Sequence, residues 1–179
     1  MAYNIIAETE DYTIVSDYQA LYRKSDKYQS EAQLEKELIK TLTEQGYDYL
    51  PIHREQDLVD NLRVQLQKLN NYTFTDSEWK RFFNDVIANQ NEGIEAKTAK
   101  IQEDHIQVLK RDTGETKNIY LIDKKNIHNN YLQVINQYEE EQGNHDARYD
   151  VTILVNGLPL VHIELKRRGV QLKEAFNQI

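Results

Sequence analysis

The stretch from Arg148 to Lys166, RYDVTILVNGLPLVHIELK, constrains the fold more than any other part of the chain. Two apolar runs, Arg148 to Val155 and Leu160 to Lys166, flank Asn156-Gly157. Both residues of that dipeptide tolerate positive φ, which a tight antiparallel hairpin requires. Asp150, Glu164 and Lys166 sit within or at the ends of the two runs. Isolated charges are expensive to bury, so in such a frame they need partners.

Glu164 and Lys166 are two residues apart and so share one face of a strand. Whether Asp150 joins them depends on register. A strict two-residue loop pairs Val155 with Leu158, sets Asp150 opposite Ile163 and turns Glu164 to the other face. A longer loop, such as a type I turn with a glycine bulge, pairs Leu154 with Leu158. Asp150 then faces His162 on the side of Glu164 and Lys166. A site built from all three therefore requires an odd loop, a bulge or a bend. Two carboxylates beside an ammonium would suit Mg²⁺, which takes oxygen ligands and keeps several waters. The plain alternative is a Glu164–Lys166 salt bridge at a sheet edge, with Asp150 starting a strand in solvent.

Upstream, the first twenty residues alternate weakly and read as strand. Ser30 with Gln33 has capping-box spacing. Leu34, Leu38, Ile39 and Leu42 form the apolar stripe of the helix that follows, and Gly46 supplies its stop. Tyr47 to His53 reads as a strand. Asp57 to Leu69 reads as a helix with Leu58, Leu62, Leu66 and Leu69 inward. Thr75 with Glu78 opens a third helix, whose stripe is Trp79, Phe82, Phe83, Val86 and Ile87. After about Ala99 the period turns from helical to alternating. His105 to Lys110 and Asn118 to Asp123 read as a hairpin around Thr113-Gly114, and Tyr131 to Tyr138 as another strand. A last helix is expected from about Val170, with Leu172, Ala175, Phe176 and Ile179 on one stripe. It stops mid-pattern, so the chain is expected to be the N-terminal piece of something longer. The order of elements implies an α/β fold, an antiparallel-rich mixed sheet with helices against it.

Composition narrows the function classes. The 179 residues include no cysteine, which excludes disulfides and thiolate metal sites. There is no apolar run of membrane-spanning length and no secretory signal pattern at MAYNIIAETEDY, so the expectation is a cytoplasmic protein with no membrane partner. The net charge of −8 argues against a stand-alone nucleic-acid binder. One modest basic cluster, Lys166-Arg167-Arg168 and Lys173, runs against that trend. The five histidines are scattered without metal-ligand spacing. No glycine-rich phosphate loop with its lysine and hydroxyl occurs, so ATP is not expected to bind this segment.

The segment RYDVTILVNGLPLVHIELKRRGVQLKEAFNQI closely resembles the nuclease segment of type I restriction enzyme R subunits. The likeness extends through NIYLIDKKNI, FTDSEWKRF and SEAQLEKELIKTLTEQGYDY, nearly the whole chain. It is of the PD-(D/E)xK nuclease kind, with Tyr149 in place of the proline. The resemblance implies a restriction-endonuclease-like fold and one N-terminal endonuclease domain over residues 1–179. It implies catalysis by Asp150, Glu164 and Lys166, with Mg²⁺ held by Asp150, Glu164 and the backbone carbonyl of Leu165. Gln178 fits the first position of the family's Gln-x-x-x-Tyr motif. Family members often add a helix carboxylate; Glu35 is the candidate here, with Glu31 one turn earlier, and either is equally readable as a solvated group near a helix start. A helicase-like, ATP-consuming motor is expected downstream. Double-stranded DNA and the methylation and specificity subunits are the implied partners. The competing expectations are a free-standing resolvase or exonuclease of the same fold, and a non-catalytic docking module.

Overall fold

Ser30 opens its helix as its spacing suggests. Its hydroxyl accepts the Gln33 N–H at 3.3 Å and the Gln33 side chain accepts the Ser30 N–H at 3.0 Å, so two otherwise orphaned donors are satisfied. The computed structural model describes residues 4–8, 13–16, 30–139 and 148–166. Among these, four α-helices accompany a four-stranded mixed sheet and two two-stranded hairpins. The first hairpin is β1 (Asn4–Glu8) with β2 (Thr13–Ser16), where the sequence suggested only a stretch of strand. Helix α1 (Glu31–Glu44) follows, and Gly46, at φ 96°, takes the left-handed conformation just beyond its end.

The strand expected over Tyr47–His53 shrinks to β3 (Asp48–Tyr49), parallel to β6 (Leu132–Glu139). Leu50 still donates its N–H to Val134, but Pro51 has none to give, and the ladder stops there. Ile52 instead turns into the core, 8% exposed. Helix α2 (Glu55–Asn70) is longer than its expected span and ends at Asn71 in the left-handed region. Helix α3 (Asp76–Phe82) is capped by the Thr75–Glu78 box and runs on as a π-helical turn over Phe83–Ile87. Helix α4 (Ile94–Gln102) was not foreseen: none of its residues is buried, and so it carries no clear apolar stripe.

The next hairpin pairs β4 (Ile106–Lys110) with β5 (Thr116–Tyr120), a second strand that starts and ends earlier than its expected Asn118–Asp123. Glu78 fastens this hairpin to α3. Its buried carboxylate accepts the N–H groups of Thr75 and Asp112 and the Tyr72 hydroxyl. Burial alone would push its pKa up, yet those hydrogen bonds hold it below the usual range.

The central sheet runs β3-β6-β7-β8, with β7 (Arg148–Val155) antiparallel to both β6 and β8 (Leu158–Ile163). Side chains alternate across it. Val134, Val151 and Ile153 pack with Leu38, Ile39 and Leu42 of α1. On the opposite face Ile135 and Leu154 pack with Ile52 and Leu58 of α2. A third core joins Leu62 and Leu66 of α2 to Phe74, Trp79, Phe82, Leu109, Ile119 and Leu158. Leu69 of the expected stripe is only half-buried. The helix expected from Val170 lies outside the described residues.

The β7–β8 turn is docked to α2. Asn156 and Gly157 take φ of 52° and 82°, the both-positive pair of a two-residue I′ hairpin. A Cβ on Gly157 would stand 2.6 Å from the Leu62 Cα. Gly157→Ala therefore adds backbone strain to a steric clash with another backbone. We expect a loss of at least about 2 kcal/mol of stability, read as a lower denaturant midpoint with unchanged slope.

Candidate active site

Asp150 is the third residue of β7, and Glu164 to Lys166 continue the chain just past the end of β8. The turn of two residues pairs Val155 with Leu158 and Leu154 with Pro159, the register that would separate Asp150 from Glu164. One rung later Ile153 pairs with Val161, so Leu160 is an extra residue, a bulge. Beyond it Thr152 pairs with His162 and Val151 with Ile163. Continuing that ladder sets Asp150 opposite Glu164. Of the two registers readable from the sequence, the turn follows one and the far end of the hairpin follows the parity of the other. Pro159 is the signal for it: a residue without an N–H inside a strand marks a bulge or an edge. His162 consequently faces Thr152 rather than Asp150, with Thr152 Oγ1 and His162 Nδ1 2.9 Å apart.

Asp150 lies within electrostatic reach of Glu164 and Lys166. The Leu165 N–H donates to Asp150 Oδ2 at 2.7 Å, and Lys166 Nζ donates to Glu164 Oε1 at 2.5 Å. The side chains of Glu164 and Lys166 are 11% and 19% exposed, so the pair is largely withdrawn from solvent rather than a surface bridge. Burial pushes the Asp150 carboxyl above its usual range; the Leu165 N–H and Lys166 oppose this, while the charges of Glu164 and Glu35 add to it. The hydrogen bond from Lys166 to Glu164 pushes the ammonium pKa up against its burial, helped by the charges of Glu164, Glu31 and Asp150.

Both helix carboxylates thus sit within electrostatic reach. Glu35 is 9% exposed, and it takes the Asn136 Nδ2 on one oxygen and the Gln137 Nε2 on the other, each at 2.5 Å. Its reading as a solvated group near a helix start is corrected: the apolar stripe of α1 carries it inward. Asn136 and Gln137 were not foreseen, because amide residues in a strand carry no distinctive spacing. Tyr49 donates its hydroxyl to Asn136 Oδ1 at 2.8 Å. Trp79 is core, as its stripe suggests. Gln178 and the basic residues Arg167, Arg168 and Lys173 lie outside the described residues.

As a donor set, Asp150, Glu164 and Glu35 suit a hard, oxygen-ligated divalent cation. The raised pKa of Asp150 marks a place where negative charge is short of compensation. Among the described residues, no three carboxylate or imidazole groups stand ready-grouped around a metal position. Glu164 is turned to Lys166 instead. The fit is one of chemistry and neighbourhood, with carboxylate rotation still required.

The class is mixed α/β: an antiparallel-rich sheet with helices against it and acidic and basic side chains gathered at one strand end. Residues 28–179 match the family described as the type I restriction enzyme R protein N terminus, and the chain belongs to it. It is 48% identical over 175 residues to the type I restriction enzyme EcoprrI endonuclease subunit of Escherichia coli, covering 97% of this chain and 56% of that protein. It is 41% identical over 157 residues to the SsaAORF53P endonuclease subunit of Staphylococcus saprophyticus, and 40% over 159 residues to the SauCOLORF180P endonuclease subunit of Staphylococcus aureus. Each staphylococcal match covers 85% of this chain and 16% of the relative. The chain thus spans about half of one relative and a small part of the others.

The Asp150 environment makes a pH-dependent prediction. A carboxyl whose pKa is raised by folding lowers stability once it ionises, so the penalty is absent below the ordinary value of 3.8 and complete above the folded value. Asp150→Asn, which keeps an oxygen for the Leu165 N–H, should raise the denaturation midpoint of the metal-free chain at neutral pH. The gain should disappear below that ordinary value.

Proposed function

We propose that this chain is the Mg²⁺-dependent DNA-cleaving domain of a type I restriction enzyme's motor subunit, with Asp150, Glu164 and Lys166 as its catalytic core. One observation supports this above the others: with Leu160 bulged out, Val151 pairs with Ile163, a register whose continuation sets Asp150 opposite Glu164, the partner of Lys166, in a chain of this family. In this reading Asp150, Glu164 and the Leu165 carbonyl hold the cation, and Glu35 of α1 is a further carboxylate toward it. When bound, the cation polarises the scissile phosphate and acidifies a water. Lys166, which in the metal-free chain donates to Glu164, would orient the attacking water and steady developing negative charge. Asp150, held by the Leu165 N–H, fixes one side of the site against the strand.

The rest of the subunit would supply what this chain lacks. An ATP-consuming motor would draw DNA in, and methylation and specificity subunits would set where the complex stands. Asp150→Ala, Glu164→Ala and Lys166→Ala, each made in a complete subunit assembled with its partners, should lower double-strand cleavage by more than about a hundredfold. ATP hydrolysis should stay near the unsubstituted rate. Cutting retained by one variant removes that residue from the mechanism.

The charge balance yields a second expectation. With a net charge of −8, residues 1–179 alone should bind duplex DNA weakly near physiological salt and nick it little with Mg²⁺, because phosphate contacts dominate such affinity. A titration against labelled duplex at several salt concentrations measures this. Tight binding by the chain alone would point to a free-standing nuclease instead.

A further inference from the structure

We infer that Asn136 and Gln137 are positioning residues that clamp Glu35 so that its charge stays available to a divalent cation beside Asp150; this rests on the metal-dependent reading above. In an extended strand neighbouring side chains point to opposite faces. Asn136 and Gln137 are neighbours in β6, yet both amides reach the same carboxylate, one to each oxygen. The backbone permits it because Gln137 takes φ 55° toward the C-terminal end of the strand. That conformation is uncommon for a residue with a long side chain, and such backbone persists where its surroundings hold it, often at functional sites.

The location fits the role. Asn136 pairs with Val151 and Tyr138 with Tyr149, so Gln137 occupies the rung that faces Asp150. The Tyr49 hydroxyl donates to Asn136 Oδ1 and so directs the amide nitrogen of that side chain at Glu35. The choice of group matters as much as its place. A lysine or arginine at either position would hold Glu35 equally well but would cancel its charge. Two neutral amides satisfy one lone pair on each oxygen and leave further acceptor positions for a cation. Carboxylates that ligate metals are commonly oriented by such outer hydrogen bonds.

The test is Mn²⁺ binding to the chain, followed by the loss of the free-ion electron paramagnetic resonance signal, beside metal-free thermal unfolding. Gln137→Gly keeps the left-handed backbone at no steric cost and removes the amide; Asn136→Ala removes the other arm. Each should weaken Mn²⁺ binding about tenfold, with the metal-free unfolding temperature of Gln137→Gly close to the original. In a Glu35→Ala background the same two substitutions should change Mn²⁺ affinity no further. Asp150→Ala separates the two levels of the reading. If it leaves Mn²⁺ binding unchanged, the metal site itself is wrong. If it abolishes binding while Gln137→Gly binds as the original does, or if the losses add in the Glu35→Ala background, the clamp is overturned and the metal site stands. Should Asn136→Ala fail to fold, Gln137→Gly alone decides.

Discussion

A β-hairpin has a parity, and here that parity decides which charged side chains of β7 and β8 can be neighbours. Side chains alternate strictly along a strand, so a tight two-residue turn fixes which residues of β7 and β8 share a face. The turn at Asn156-Gly157 imposes the parity that would turn Asp150 away from Glu164. Leu160 reverses it by standing outside the ladder. The inserted residue costs little where it falls, because Pro159 beside it had no N–H to contribute to the pairing. Upstream of the bulge, Leu158 stays in the core with Leu62 and Phe82. Downstream, Glu164 and Lys166 come round to Asp150. One strand thus serves a hydrophobic core at one end and a charged cluster at the other.

The cluster is held in tension. A carboxyl disfavoured by burial and by neighbouring acids lies beside a lysine engaged by one of them. Elsewhere the same chain resolves buried acid differently. Glu78 is surrounded by donors that fully suit its ionised form, and its pKa falls. The contrast between Glu78 and Asp150 separates an acid that welds α3 to a hairpin from one whose environment leaves charge to be answered.

Much of this was legible in the sequence, and the parts that were not share a cause. The capping boxes at Ser30 and Thr75 and the stripes of α1 and α3 depend on local spacing, and the structure follows them. The identities of Asp150, Glu164 and Lys166 came from an apolar frame around charges and from resemblance. The register of the hairpin did not, since two pairings are open in the sequence and the bulge at Leu160 decides between them. Pro51 and Pro159 mark two of the places where strand pairing departs from the expected pattern, and in both a missing N–H is the reason. Helix α4 escaped because it buries no residue. The amides of Asn136 and Gln137 escaped because their importance lies in what they touch across about a hundred residues of sequence.

Two turns that look alike in sequence differ in what they can absorb. Gly114, at the tip of the β4–β5 hairpin, has open space where a Cβ would point. Asn156 is 1% exposed, and its side chain bonds the Leu121 carbonyl, the Tyr131 N–H and the Asn130 side chain, while Gly157 presses on Leu62. The first is a loop tip of the kind where evolution, or an engineer grafting a tag, can lengthen a chain freely. The second is a closed joint. Natural variation in the length of this domain should therefore accumulate around Thr113-Gly114 and leave the joint between β7 and β8 untouched, because an added residue there would lift the turn from its helix and reverse the parity that gathers the acids.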